Sequence, residues 1–169
     1  MKSILLFRHG KSDWNAKYEE DHNRPLSKRG IKAAKLMGEY LFNIKQVPEK
    51  IISSTAIRAK TTAELALKYG NWNSCLHLNP NIYYCTTHRL KSIIAKQDSN
   101  IDFLCLVGHE PTFSSFLYKI TGESLNHFPT ASMVRIELPL NHWKQIEFGK
   151  GLISWFKKPK DLMSLKTTI

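Results

Sequence analysis

A short apolar stretch at the start of the chain runs into Arg8-His9-Gly10, and two more residues of the same kinds, Arg58 and His109, lie far downstream. These residue types are complementary to phosphate. An arginine fork meets two phosphate oxygens at once, helix N-termini add backbone N–H donors, and a histidine held among cations is biased toward its neutral, nucleophilic form. If the fold brings the two arginines and two histidines into one pocket, the chemistry they suit is phosphoryl transfer through a phosphohistidine, without metal. Each piece is weak alone. Arg-His-Gly arises by chance in roughly one chain of this length in a hundred at average residue usage, and an isolated Arg or His is usually solvated or structural. The combination matters because each part falls at the end of an expected strand.

Those strands and their partner helices are read from periodicity. Ser3 to Phe7 is an apolar strand, and the irregular polar segment from there through Arg24 reads as a functional loop. Ser27 is placed to cap a helix carrying Ile31, Ala33, Met37, Leu41 and Ile44, with Leu26 and Ile31 as a hydrophobic staple. Ile51-Ile52 marks a second strand, and Ser53 to Thr55 offers caps for a helix that Gly70 ends. Ile82 to Cys85 is expected to be a short extended piece, followed by a brief helix through Leu90, Ile93 and Ile94. Ile101 to Val107 reads as a strand buried on both faces, and Pro111 and Gly122 bracket the helix after it. Alternation at Val134 to Leu138, again at Ile146 and Phe148, and the run Leu152 to Phe156 predict strands added to the sheet. The pattern is that of one α/β domain over residues 1–169, a three-layer sandwich with a largely parallel sheet. In such sheets ligands bind beyond the carboxyl ends of the strands, which is where Arg8-His9, Arg58 and His109 fall.

Composition narrows the function further. With 42% hydrophobic residues, 8 Gly and 7 Pro in 169, the chain is neither low-complexity nor disordered. No apolar run approaches the roughly 20 residues that span a bilayer, and Arg8 interrupts the first apolar run too early for a signal peptide, so a cytoplasmic protein without a membrane partner is expected. Cys75, Cys85 and Cys105 form no CxxC pair, and the seven histidines show no HxH or HExxH spacing, so neither a metal site nor any other cofactor is expected. The net charge of +11 attracts anions at long range, but the cations are scattered, with a modest cluster at Lys157, Lys158 and Lys160 and no aromatic-interleaved RNA-binding motif. Specific nucleic-acid binding is not expected, and the sequence does not define an oligomeric state.

Several stretches resemble the histidine phosphatase superfamily, which has the phosphoglycerate-mutase-like fold, and within it the compact SixA-like phosphohistidine phosphatase branch. They are Leu5 to Trp14, Asp21-His22-Asn23-Arg24-Pro25-Leu26, Ser53 to Glu64 and Leu106-Val107-Gly108-His109-Glu110-Pro111. The resemblance extends to Pro129-Thr130-Ala131-Ser132 and to Leu152 to Phe156, nearly the whole chain. It implies His9 as the nucleophile, with Arg8, Arg58 and His109 around the phosphate. It also implies Arg24 as a further anion contact, Asn15 as a phosphate contact by analogy with larger relatives, and Trp14 as packing at the pocket rim.

The chain departs from the family pattern where phosphomonoesterases and mutases usually place a leaving-group acid. The region here reads Ile82-Tyr83-Tyr84-Cys85-Thr86-Thr87, without a carboxylate. An alkoxide needs a proton to leave, whereas the imidazole of a phosphoramidate leaves readily when protonated, so this absence favours phosphohistidine. Glu19, Glu20, Asp21 and Glu110 are alternative donors, each with a competing role as a loop, capping or orienting residue. Thr55 replaces a usual Pro, which should affect loop rigidity more than chemistry, and Gly10 stands where relatives carry Ala, expected to be neutral. The expected partner is a phosphohistidine-bearing protein or a small phosphorylated substrate. Three readings stay open: a protein phosphohistidine phosphatase, a small-molecule phosphomonoesterase, and a non-catalytic phosphate-binding module.

Overall fold

The computed structural model describes residues 1–166, with side chains up to Met163. Its centre is a six-stranded sheet ordered β3-β2-β4-β1-β5-β6: β1 is Lys2–Arg8, β2 Lys50–Ser53, β3 Cys75–Leu78, β4 Phe103–Gly108, β5 Met133–Leu138 and β6 Leu152–Lys157. The strands β3, β2, β4 and β1 pair in parallel, while β5 runs against both β1 and β6. The expected largely parallel α/β sandwich is present.

Helices cover both faces because the central strands are apolar on both sides. From β1, Leu5 and Phe7 face a core shared with α1 (Lys28–Asn43) and α2 (Ile57–Tyr69), while Ile4 and Leu6 face one shared with α3 (Thr87–Ala95) and α4 (Thr112–Thr121). Every residue of Ile4–Phe7 and Leu104–Val107 is essentially inaccessible, the pattern of strands sandwiched between helices. A last helix, α5 (Pro159–Lys166), packs by Leu162 on the α1 side.

Local chemistry explains most helix ends. Ser27 accepts from the Gly30 N–H and opens α1, and Thr86 does the same for α3 through the Arg89 N–H. Gly122 closes α4 with φ of 78°, the left-handed turn that glycine adopts without cost.

Four readings need correction. The cap of α2 is Ala56 rather than the Ser53–Thr55 group; Ser54 instead supports the turn by accepting the Ala56 N–H. Ile82 to Cys85 is not extended: Pro80–Ile82 forms a 3-10 turn and Tyr84 has φ of 54°. Ile146 and Phe148 follow the 3-10 turn Trp143–Gln145 and do not join the sheet, their alternation being produced by packing onto the α3–α4 core. Gly10 is not a neutral position, because a Cβ there would lie 2.8 Å from the Gly30 carbonyl oxygen. The edge strand β3 and α5 escaped the periodicity reading, β3 because its residues are mostly exposed and do not alternate.

Candidate active site

Three parallel strands end level with one another. Arg8, the last residue of β1, pairs with Gly108 of β4; the His9 N–H donates to the Gly108 carbonyl at 3.1 Å, and the Ser54 N–H after β2 donates to Val107 at 3.0 Å. His9, Ser54 and His109 therefore leave the sheet side by side. Arg58 joins them from the first turn of α2.

The His9 ring is 7% exposed and its Nδ1 lies 2.7 Å from the Gly10 carbonyl. A carbonyl only accepts, so Nδ1 carries the proton and Nε2 keeps its lone pair. Burial pushes the ring's pKa down to about 3; the Gly10 carbonyl opposes this, and the charges of Arg58, Arg8 and Arg24 add to it. His109 stands beside it, ring centroids 5.1 Å apart, sharing a 2.8 Å hydrogen bond between Nε2 and the Ser54 hydroxyl. Burial, then the neighbouring His9 and Arg58, lowers its pKa to about 3 as well. Both rings are neutral at physiological pH.

The loop that follows His9 is tied to the helix that carries the second arginine. The Gly10 N–H donates to Thr62 Oγ1 at 2.9 Å, and that hydroxyl donates to the Arg58 carbonyl at 2.6 Å. Asp21 organises the arginines from the long loop. Arg58 Nη1 donates to the Asp21 carbonyl at 2.8 Å and Nη2 to Oδ2 at 3.0 Å, Arg24 Nη1 bonds Oδ1, and the Tyr83 hydroxyl donates to Oδ2 at 2.6 Å. Burial alone would raise the Asp21 pKa, but the Tyr83 hydrogen bond and the charges of Arg58 and Arg24 hold it at about 2. Arg24 also stacks 3.7 Å over the exposed ring of Trp14, which places Trp14 at the rim. Arg8 is fixed separately, by a 2.7 Å bond from Nη1 to the Phe128 carbonyl.

Arg8, His9, Arg24, Arg58 and His109 line one cleft of about 270 Å³, together with Ser12 and Thr130. Seven buried side-chain polar atoms lack a partner among the described residues, and five belong to residues lining this cleft: Nε of Arg8, Arg24 and Arg58, the Ser12 hydroxyl and His109 Nδ1. Unmet buried polar groups are rare and costly, so their gathering in one cleft marks a place built for an anion. Asn15 stands apart. It is exposed, its N–H turned into a local 2.9 Å bond with Asp13, and it does not line the cleft.

Both nearby carboxylates are engaged in other bonds. Asp21 is held ionised among its partners, and both Glu110 oxygens accept from Ser114, its N–H at 2.9 Å and its hydroxyl, in the first turn of α4. Asp21 as the arginine tether, Tyr83 as its partner and Thr62 as the loop tie were not singled out for these roles from sequence. For Asp21 the signal was its spacing three residues before Arg24; for Tyr83 there was none.

A family model of the histidine phosphatase superfamily (branch 1) matches residues 4–79, the span that contains Arg8, His9, Arg24 and Arg58. Over that span the chain is similar to the histidine phosphatase superfamily. Across nearly its whole length the chain is also similar to curated proteins. It is 24% identical to the phosphohistidine phosphatase SixA of Escherichia coli over 96% of this chain and 98% of the relative, and 25% identical to an uncharacterised protein of Mycobacterium leprae over 90% and 99%. The crystal structure of a protein assigned to SixA in Agrobacterium tumefaciens, 25% identical, superposes with a TM-score of 0.80 over 94% of this chain and 98% of that one. A SixA structure complexed with tungstate, 22% identical, shares the fold with a TM-score of 0.81 over 95% and 99%.

Proposed function

We propose that this chain is a phosphohistidine phosphatase acting on proteins, with His9 Nε2 as the nucleophile. The observation that carries the reading is the 2.7 Å contact of His9 Nδ1 with the Gly10 carbonyl, which leaves a neutral ring with its Nε2 lone pair in a cleft of three arginines. In the first step Nε2 attacks phosphorus, the P–N bond of the substrate breaks as the P–Nε2 bond forms, and the leaving imidazole takes a proton from solvent. In the second, water attacks the phosphohistidine, releases phosphate and restores His9. Arg8, Arg24 and Arg58 meet the oxygens that carry charge in both transition states. The similarity to SixA supports the substrate class. So does the engagement of Asp21 and Glu110 in other bonds, because a P–N substrate needs no carboxylic acid where an ester does.

Phosphate release is to be measured from a phosphohistidine protein and from p-nitrophenyl phosphate, in excess chelator. The expected result is release much faster from phosphohistidine, an acid-labile phosphoenzyme on quenching, and loss of both in His9→Ala. Full activity in His9→Ala ends the mechanism. The second reading, a small-molecule phosphomonoesterase, rests on Glu110, which is among the residues lining the cleft. Faster turnover of the ester, abolished in Glu110→Gln, decides for it.

A further inference from the structure

A groove of about 540 Å³ adjoins the catalytic cleft and shares Lys11 and Thr130 with it. Arg29 reaches it from α1, His127 from the segment before β5, and Lys158 and Lys160 from the start of α5. These residues are remote in sequence, yet the fold gathers them around one groove. None of the described lining residues is acidic. Asp161, the acid nearest in sequence, accepts the Lys158 N–H at 3.0 Å and so serves the start of α5. Lys11, Arg29, Lys158 and Lys160 form no ion pair among the described residues. Part of the scattered +11 is therefore concentrated beside the nucleophile.

We infer that this groove docks an acidic stretch of the phosphorylated partner protein, flanking the residue that enters the cleft. The inference deepens the proposed phosphohistidine phosphatase reaction and rests on it. Because the groove and the cleft share Lys11, a side chain held in the cleft brings its own neighbours in sequence or surface onto Arg29, Lys158 and Lys160. Clustered cations without competing carboxylates select for acidic partners and speed their encounter. The apolar floor, Ala33 and Met163, accepts the stems of Glu side chains. An acidic protein fits better than a nucleic acid, because among the described lining residues no Phe, Tyr or Trp offers a face on which bases stack.

The test is fluorescence anisotropy of a labelled Glu/Asp-rich peptide, a Gln/Asn-rich peptide and a single-stranded oligoribonucleotide, on wild type and on the Arg29→Glu/Lys158→Glu/Lys160→Glu variant. The acidic peptide is expected to bind wild type at least about tenfold tighter than the neutral one at moderate salt, and the variant to lose that preference. In the same way, kcat/KM is expected to favour phosphohistidine peptides with acidic flanks in wild type and to lose the preference in the variant. Turnover of N-phosphoimidazole, which has no flanks, should be unchanged. If the variant's melting temperature drops, the Arg29→Ala/Lys160→Ala pair is expected to show a partial loss. Equal binding of the two peptides by wild type, equal binding of the acidic peptide by wild type and variants, or tighter binding of the oligoribonucleotide overturns the proposal. Hydrolysis of N-phosphoimidazole by wild type is scored separately: its absence overturns the reaction, while peptide binding decides the groove.

Discussion

Asp21 is the residue on which the arginine arrangement depends, and it acts without touching the reacting atoms. Its carboxylate holds Arg24 and Arg58 in register and is itself held by Tyr83. Replacing it with Asn removes a negative charge beside the cleft, which strengthens the local attraction for anions while loosening the geometry of two guanidinium groups. The Asp21→Asn variant is therefore expected to bind orthovanadate at least as tightly as wild type and to lose about ten- to a hundredfold in kcat, the cost of misplaced positioning groups. Asp21→Glu should recover part of the loss. A parallel fall in orthovanadate affinity and kcat would mean that Asp21 serves only the fold. Thr55 works at the same scale: its hydroxyl shares a 2.8 Å hydrogen bond with His22 Nε2, so the substitution of the usual Pro ties the loop after β2 to the loop that carries Asp21.

Elements place these residues through backbone contacts too close for a Cβ. Gly30, in the first turn of α1, would bring a Cβ within 2.2 Å of the Lys11 carbonyl oxygen, and Gly38, on the same helix, within 2.4 Å of the Ala66 carbonyl oxygen in α2. Both alanine variants are expected to lose about 1–3 kcal/mol in urea unfolding, the usual cost of forcing atoms into a packed site. Only Gly30→Ala should also reduce turnover beyond its effect on stability, because Lys11 and Gly10 belong to the loop that follows His9. Equal turnover by the two variants would show that the α1–loop contact does not position His9. The strands and helices that hold the site were legible because their signals are local: an apolar run for β1 and β4, a Ser cap with period-3.6 residues for α1, Pro and Gly around α4. The segments that failed were those in which neighbours outweigh pattern. Ile82 turns inward in a 3-10 turn, and Tyr83 then reaches Asp21, a contact across 62 residues that no window of sequence contains. Phe148 alternates with Ile146 yet packs on α3 and α4.

At the scale of the whole molecule, two neutral buried histidines make stability depend on pH. In the unfolded chain each ring titrates near about 6.5, whereas in the folded protein His9 and His109 do so only at about 3. Between these values the unfolded state binds protons that the folded state does not, so stability falls as pH falls through that window, by up to about 1.4 kcal/mol per pH unit for each ring. Asp21, held at about 2, adds a further loss as pH drops below the ordinary carboxylate value toward it. Urea midpoints are expected to decline steadily on moving from neutral to mildly acidic buffer, with a shallower slope in a His9→Gln/His109→Gln protein. Identical slopes would show that the two rings are not buried neutral. Sequence alone determined the α/β sandwich and brought Arg8, His9 and His109 to strand ends and Arg58 to a helix start, because periodicity, capping and chain order are properties of neighbouring residues. Tertiary structure alone decided the state of those groups: which His9 nitrogen is free, which carboxylate holds the arginines, that Asn15 lies outside the cleft, and where the scattered cations converge. Each of these depends on burial and on contacts between residues distant in sequence, and the energy of such a contact exists only once the sheet and its helices have closed around it.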